Sequence, residues 1–195
     1  TGTLFPHLSH RRVLYRFPLV ADAQYVLLDV SQAAITNPID YVVNYREILQ
    51  QGFGIRDAAD GHILLQRGVA QKELPDAFYD FARARNTSPQ YRVAIDFEDK
   101  VRFIGFDVRQ DDWARVYLRT YWTRLPGLNL NYALYPFFPD ETGAPHADAQ
   151  LPPLLIHFWY PTSAWRDGEV IIADTLPLEL RERAKIGVGV FFGAS

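Results

Sequence analysis

The 195-residue chain contains no cysteine and no methionine. The first absence excludes disulfides, thiolate metal sites and a cysteine nucleophile. The second extends to position 1, which is Thr1, so the chain is read as processed or as an excised piece of something larger. Long apolar runs are missing as well. None approaches the roughly 18 residues that a membrane helix needs. One of the longest, "YALYPFF" from Tyr132 to Phe138, is interrupted by Pro136. No signal-peptide pattern opens the chain, and the stretch taken alone is expected to be soluble. Lysine is scarce, with 3 against 17 arginines, a bias that fits a GC-rich genome or a warm habitat. The net charge of −3 provides no footprint for nucleic acid or for an anionic membrane surface.

What remains is an ordinary globular composition, 48% apolar and 22% charged, sufficient for one large or two small domains. The pattern changes character near residue 70. Before it, short strands and a helix alternate. "AQYVLLDV" (Ala23 to Val30) reads as a strand buried on both faces, ending near Asp29. "NPIDYVVNYREILQQGFG" reads as a helix with Asn37 as N-cap, Pro38 at the first position and Gly52 as its stop. Asp60-Gly61 marks a turn between two further strands. This alternation predicts a small α/β, Rossmann-like domain over residues 1–70, and the pattern suggests a truncated unit whose first strand lies upstream of Thr1. Residues 71–89, with "LPDAFYDFARAR", form a helical linker.

From residue 90 the pattern is β. Val93, Ile95 and Phe97 alternate toward a turn at Glu98-Asp99-Lys100. In "WARVYLRTYWTRL", Ala114, Val116, Leu118, Thr120 and Trp122 fall on one face, while Arg115, Tyr117, Arg119 and Tyr121 fall on the other. Residues 90–195 are therefore expected to form an antiparallel β-sandwich, Ig-like or jelly-roll-like. The fold class as a whole is α+β.

Reactive-looking residues have weak patterns. His7 and His10 share one side of a helical turn, yet zinc wants further ligands at matching spacing. Ser9 between them lacks the strand-turn-helix setting of a nucleophile elbow. Neither "QGFG" nor "GVGVFFG" makes a phosphate loop. No catalytic residue, metal or cofactor is expected from these patterns, and a hydrolase or metalloenzyme centred on His7 and His10 is the least favoured class. The aromatic residues are a stronger lead. Trp122, Trp159, Tyr160 and Trp165 lie in the β half, and exposed rings of this kind stack on sugars. A carbohydrate-binding module using them is the alternative reading.

"PHLSHRRVLYRFP…AQYVLLDV", with Pro6, His7, Ser9, Arg11 and Asp29, resembles the soluble C-terminal part of the domain of unknown function 2079 family, and "ADGHILLQRG" is similar to the strand that closes that unit. "YPTSAW-x-x-GEV" (Tyr160 to Val170) is similar to β-sandwich modules appended to such proteins. The family consists of polytopic bacterial membrane proteins similar to the glycosyltransferases that use polyprenyl-phosphate sugars. The resemblance implies an extracytoplasmic, non-catalytic tail of a membrane protein. Its implied partners are the membrane-embedded part of the same parent and a glycan or lipid-linked sugar. The catalytic acids of the related transferases lie in loops between membrane helices, so none carries over to this chain.

Overall fold

A computed structural model describes residues 23–31, 38–85, 87–110, 116–137, 156–174 and 187–192. It is mostly β, an α+β arrangement with two short α-helices and antiparallel sheets of three, four and two strands. No described helix is long and apolar enough to cross a membrane.

The first sheet contains β1 (Tyr25–Asp29), β2 (Phe53–Ala59) and β3 (His62–Arg67) in the order β1-β3-β2. Helix α1 (Pro38–Gln50) starts at Pro38, whose fixed φ suits a first helical position. The chain leaves it through Gly52 at φ +85°. The β2–β3 turn sits on Asp60 and Gly61, at φ 46° and 76°, the backbone that Asp-Gly pairs favour in two-residue hairpins. Both β1 and β2 pair antiparallel to β3, so they run in the same direction with α1 crossing between them. The sequence pattern of a strand–helix–strand unit is therefore present locally. A Rossmann-like unit requires hydrogen-bonded parallel neighbours. Here β3 inserts between β1 and β2, and every described pair is antiparallel.

The reading of β1 as buried on both faces is corrected in the same way. Val26 and Leu28 are buried, while Tyr25 and Leu27 are exposed. The core gathers on one side of the sheet, from Val26, Leu28, Ile55, Ile63 and Leu65 of the strands with Tyr45 and Ile48 of α1.

Strand β4 (Tyr91–Phe97), β5 (Val101–Gln110), β6 (Val116–Arg124) and β8 (Ile171–Asp174) form the second sheet in that order. The β4–β5 turn lies at Glu98-Asp99-Lys100, as the sequence suggests. Glu98 and Asp99 adopt φ 50° and 52°, and the Glu98 carboxylate accepts a bond from the Tyr132 hydroxyl at 2.9 Å. Leu118, Thr120 and Trp122 are buried on one face of β6, as the alternation predicts. Of the other face, Tyr117, Arg119 and Tyr121 lie among the described residues. Strand β7 (Tyr132–Phe137) pairs antiparallel with β9 (Gly187–Phe192) as a separate two-stranded sheet. Leu134 and Tyr132 of β7 enter the second core with Val101, Phe103, Trp122 and Ile171.

The stretch expected as a helical linker is a 3-10 helix, Asp76–Ala82, with a large share in both cores. Phe78 is sealed in the first core and Ala82 in the second, while Tyr79 and Phe81 pack against both. A second tie comes from helix α2 (Ile156–Trp159). Its Trp159 belongs to the first core, edge-on to Tyr45 at 5.2 Å and to Phe78 at 5.7 Å. The next residue, Tyr160, belongs to the second.

Candidate functional site

The four aromatic residues named as a sugar platform are core residues. Trp122, Trp159, Tyr160 and Trp165 are exposed by only 0, 6, 3 and 1%. Stacking on a sugar requires an open ring face, and these faces are covered by protein. The Trp122 indole N–H donates to Thr120 Oγ1 at 2.9 Å, and that of Trp165 donates to the Tyr160 carbonyl at 2.9 Å. Trp159 Nε1 is buried with no hydrogen-bond partner. The aromatic composition misled because ring count gives quantity, whereas exposure depends on which strands cover the rings.

Asp29 is at the end of β1, as expected, but its role is local. Its carboxylate accepts from the Ser31 backbone N–H at 3.0 Å and from the Ser31 hydroxyl at 2.6 Å. His62 Nε2 is 3.6 Å away, and His62 Nδ1 donates to the Asp60 carbonyl at 2.9 Å. The serine faces the carboxylate and not the imidazole, so the three groups lack the nucleophile–base order of a hydrolase. They close the turn after β1. Pro6, His7, Ser9, His10 and Arg11 lie outside the described residues, as does Asn37. Among the described residues no group of three metal-ligating side chains occurs.

The densest polar constellation is centred on Arg83, just after the 3-10 helix. Its guanidinium donates to Asp76 Oδ1 at 2.7 Å, to Asp80 Oδ1 at 3.0 Å and to the Tyr160 hydroxyl at 3.4 Å. Its Nε lies 2.9 Å from Glu169 Oε1. Tyr160 in turn donates to Glu169 Oε2 at 2.6 Å, and its ring stacks on Tyr79 with centroids 4.5 Å apart. Arg166 adds a second cation to Asp76. The hydrogen bond from Arg83 holds the Asp76 carboxyl below its ordinary range. Burial, reinforced by the bond to Glu169, pushes the Tyr160 hydroxyl up to about 12. Near neutral pH the Asp76 carboxyl is thus ionised and the Tyr160 phenol neutral.

The cluster has a clear structural result. Arg83 forms an antiparallel bridge with Ile171, and the Ala84 N–H donates to the Val170 carbonyl at 2.8 Å. The segment leaving the 3-10 helix therefore lies along the outer edge of β8. "YPTSAW-x-x-GEV" supplies the other side of the tie. Tyr160 and Trp165 are buried, Thr162 Oγ1 accepts from the Tyr132 N–H at 2.8 Å, and Glu169 meets Arg83. Sequence reasoning missed Arg83, Asp76 and Glu169. The available signal was spacing, since Asp76, Asp80 and Arg83 recur at intervals that place them near one side of a short helical stretch.

A second polar group lies across β5, β6 and β8. Asp107 is buried and accepts from the Gln90 N–H at 2.6 Å, from the Tyr121 hydroxyl at 2.8 Å and from Arg109 at 2.5 Å. Burial alone would raise its pKa. The three donors outweigh burial and hold the carboxyl below its usual range. Beside it, Arg119 and Asp174 make a two-pronged pair at 2.8 and 2.7 Å.

The opposite edge of this sheet is open. Among the described residues no backbone hydrogen bond reaches the outer side of β4. Tyr91, Val93 and Ile95 are exposed by 48, 38 and 42%. No family model, curated protein or solved structure matches the chain.

Proposed function

We propose that this chain is a non-catalytic, extracytoplasmic module of a polytopic bacterial membrane protein, and that it supports the membrane-embedded part of its parent. In this reading the parent handles polyprenyl-linked sugar, and the module supplies a rigid body beside it. The resemblance of the first third and of the Tyr160–Val170 stretch is the sequence argument. The observation that carries the reading is the Arg83 cluster, where cations, carboxylates and phenol are all engaged in fastening two cores together. On the finer architecture, we propose that β7 and β9 form the second layer of a sandwich over the four-stranded sheet, since Leu134 and Tyr132 share a core with Trp122.

The test is a transfer assay with the purified chain, a polyprenyl-phosphate sugar donor and a panel of acceptors. No transfer above a donor-only blank is expected. Turnover by the chain alone, abolished on heating past its unfolding midpoint, would overturn the proposal. The coding sequence upstream of Thr1 supplies a second check. Several long apolar segments are expected there, and a signal peptide followed at once by Thr1 would refute the membrane parent.

A further inference from the structure

Strand β4 is unusual among the strands described, because six successive residues from Tyr91 to Asp96 are exposed. Both faces are exposed and, among the described residues, one edge is unpaired. Exposed edge strands are sites of strand addition, and natural proteins blunt them with Lys, Pro or bulges. "YRVAIDF" has no Lys, Pro or Gly. It has a bulge between Arg92 and Ile95 on the β5 side, and its two charges, Arg92 and Asp96, are of opposite sign.

Its side-chain order has a further property. Reversed about Ala94, the strand is complementary to itself. Antiparallel pairing with a second copy places Tyr91 opposite Phe97, Arg92 opposite Asp96, Val93 opposite Ile95, and Ala94 opposite Ala94. A two-fold axis normal to the sheet keeps each residue on its own face. The facing requirement is met, because Arg92 and Asp96 share one face. Asp96 lies there against Arg102 at 2.6 and 2.8 Å, and Tyr91 stacks on Phe106 of the opposite face at 4.9 Å. Opposite charges and aromatic or β-branched pairs directly across a ladder stabilise it, and like charges destabilise it. The two Ala94 methyls meet beside the axis on one face and are small enough not to clash.

We propose that β4 is a self-association edge, through which two copies of this chain join their four-stranded sheets into one continuous eight-stranded sheet. A single strand pair is a small interface, so dissociation on the order of micromolar is expected.

Sedimentation equilibrium of the chain should show a concentration-dependent dimer. Arg92→Asp and Asp96→Arg each place two like-charge pairs across the axis and should weaken the dimer at least about tenfold. Mixed in equal amounts, the two variants place opposite charges at both sites and should regain a dimer containing one copy of each. A wild-type chain that stays monomeric at all concentrations overturns the proposal. So does an unchanged dimer in either variant, or a mixture of folded variants that does not recover. An independent readout uses the absence of cysteine. Ala94→Cys should cross-link to a disulfide dimer under mild oxidation, well ahead of a Leu130→Cys control, Leu130 being exposed as well. Equal rates for the two would refute pairing about Ala94.

Discussion

Trp122 and Trp159 are both buried, yet only one indole N–H has a partner. An unsatisfied buried donor costs about 1–3 kcal/mol, while losing ring volume costs about as much. Trp159→Phe relieves the first cost and incurs the second, and should change stability by less than about 1 kcal/mol. Trp122→Phe loses ring volume and the indole's bond to Thr120 Oγ1, which keeps only its donation to the Ala173 carbonyl, and should cost about 2–3 kcal/mol. Urea denaturation of the two variants measures the contrast, and equal losses would refute it. Asp107 has a different dependence. Its folded pKa lies below the unfolded value of about 3.9. It therefore contributes stability that is present above about pH 4 and is lost as the pH falls through the folded pKa. Asp107→Asn should lower stability at pH 7 and flatten the acid limb of the stability profile below about pH 4. A variant whose acid limb parallels the wild type would contradict this.

The elements most legible in the sequence were those with local causes. Helix α1 followed from Pro38 and Gly52, the β2–β3 turn from Asp60-Gly61, and the inward face of β6 from the alternation of Leu118, Thr120 and Trp122. These depend on a few neighbouring residues. What stayed hidden depends on partners far along the chain. The insertion of β3 between β1 and β2 leaves no local mark, so a strand–helix–strand pattern suggested a parallel sheet. The burial of Trp159 depends on Tyr45, more than a hundred positions earlier. The 3-10 helix shows the same limit. Its composition reads as a connector, while Phe78 and Ala82 seal two cores. Arg83 after it is planar and multidentate, with four separate acceptors. Arg83→Ala should cost about 2–3 kcal/mol by leaving half-buried Glu169 without its cation and the Tyr160 hydroxyl and Asp80 without a donor. Arg83→Lys should recover little, because an ammonium cannot reach that set of acceptors at once. Chemical denaturation of the pair tests it, and full rescue by lysine would show that charge alone matters.

Two cores that share Tyr79 and Phe81, and that hold the adjacent residues Trp159 and Tyr160, are expected to unfold together. Heating should give one calorimetric transition with equal calorimetric and van't Hoff enthalpies. Two resolved transitions would mean that the ties are weaker than the cores. The alkaline limit belongs to the same scale. Burial raises the hydroxyls of Tyr45 and Tyr160 to about 12. Each therefore contributes stability that is whole below about pH 10 and lost as the pH rises through 12. The position of Trp159 also sets an order of events during synthesis. The ribosome delivers about 5–20 residues each second, so β1, α1, β2 and β3 emerge several seconds before the indole that completes their core. Throughout that interval Tyr45 and Phe78 lack the Trp159 ring. The first core is thus completed only once a residue in the other half of the chain has emerged.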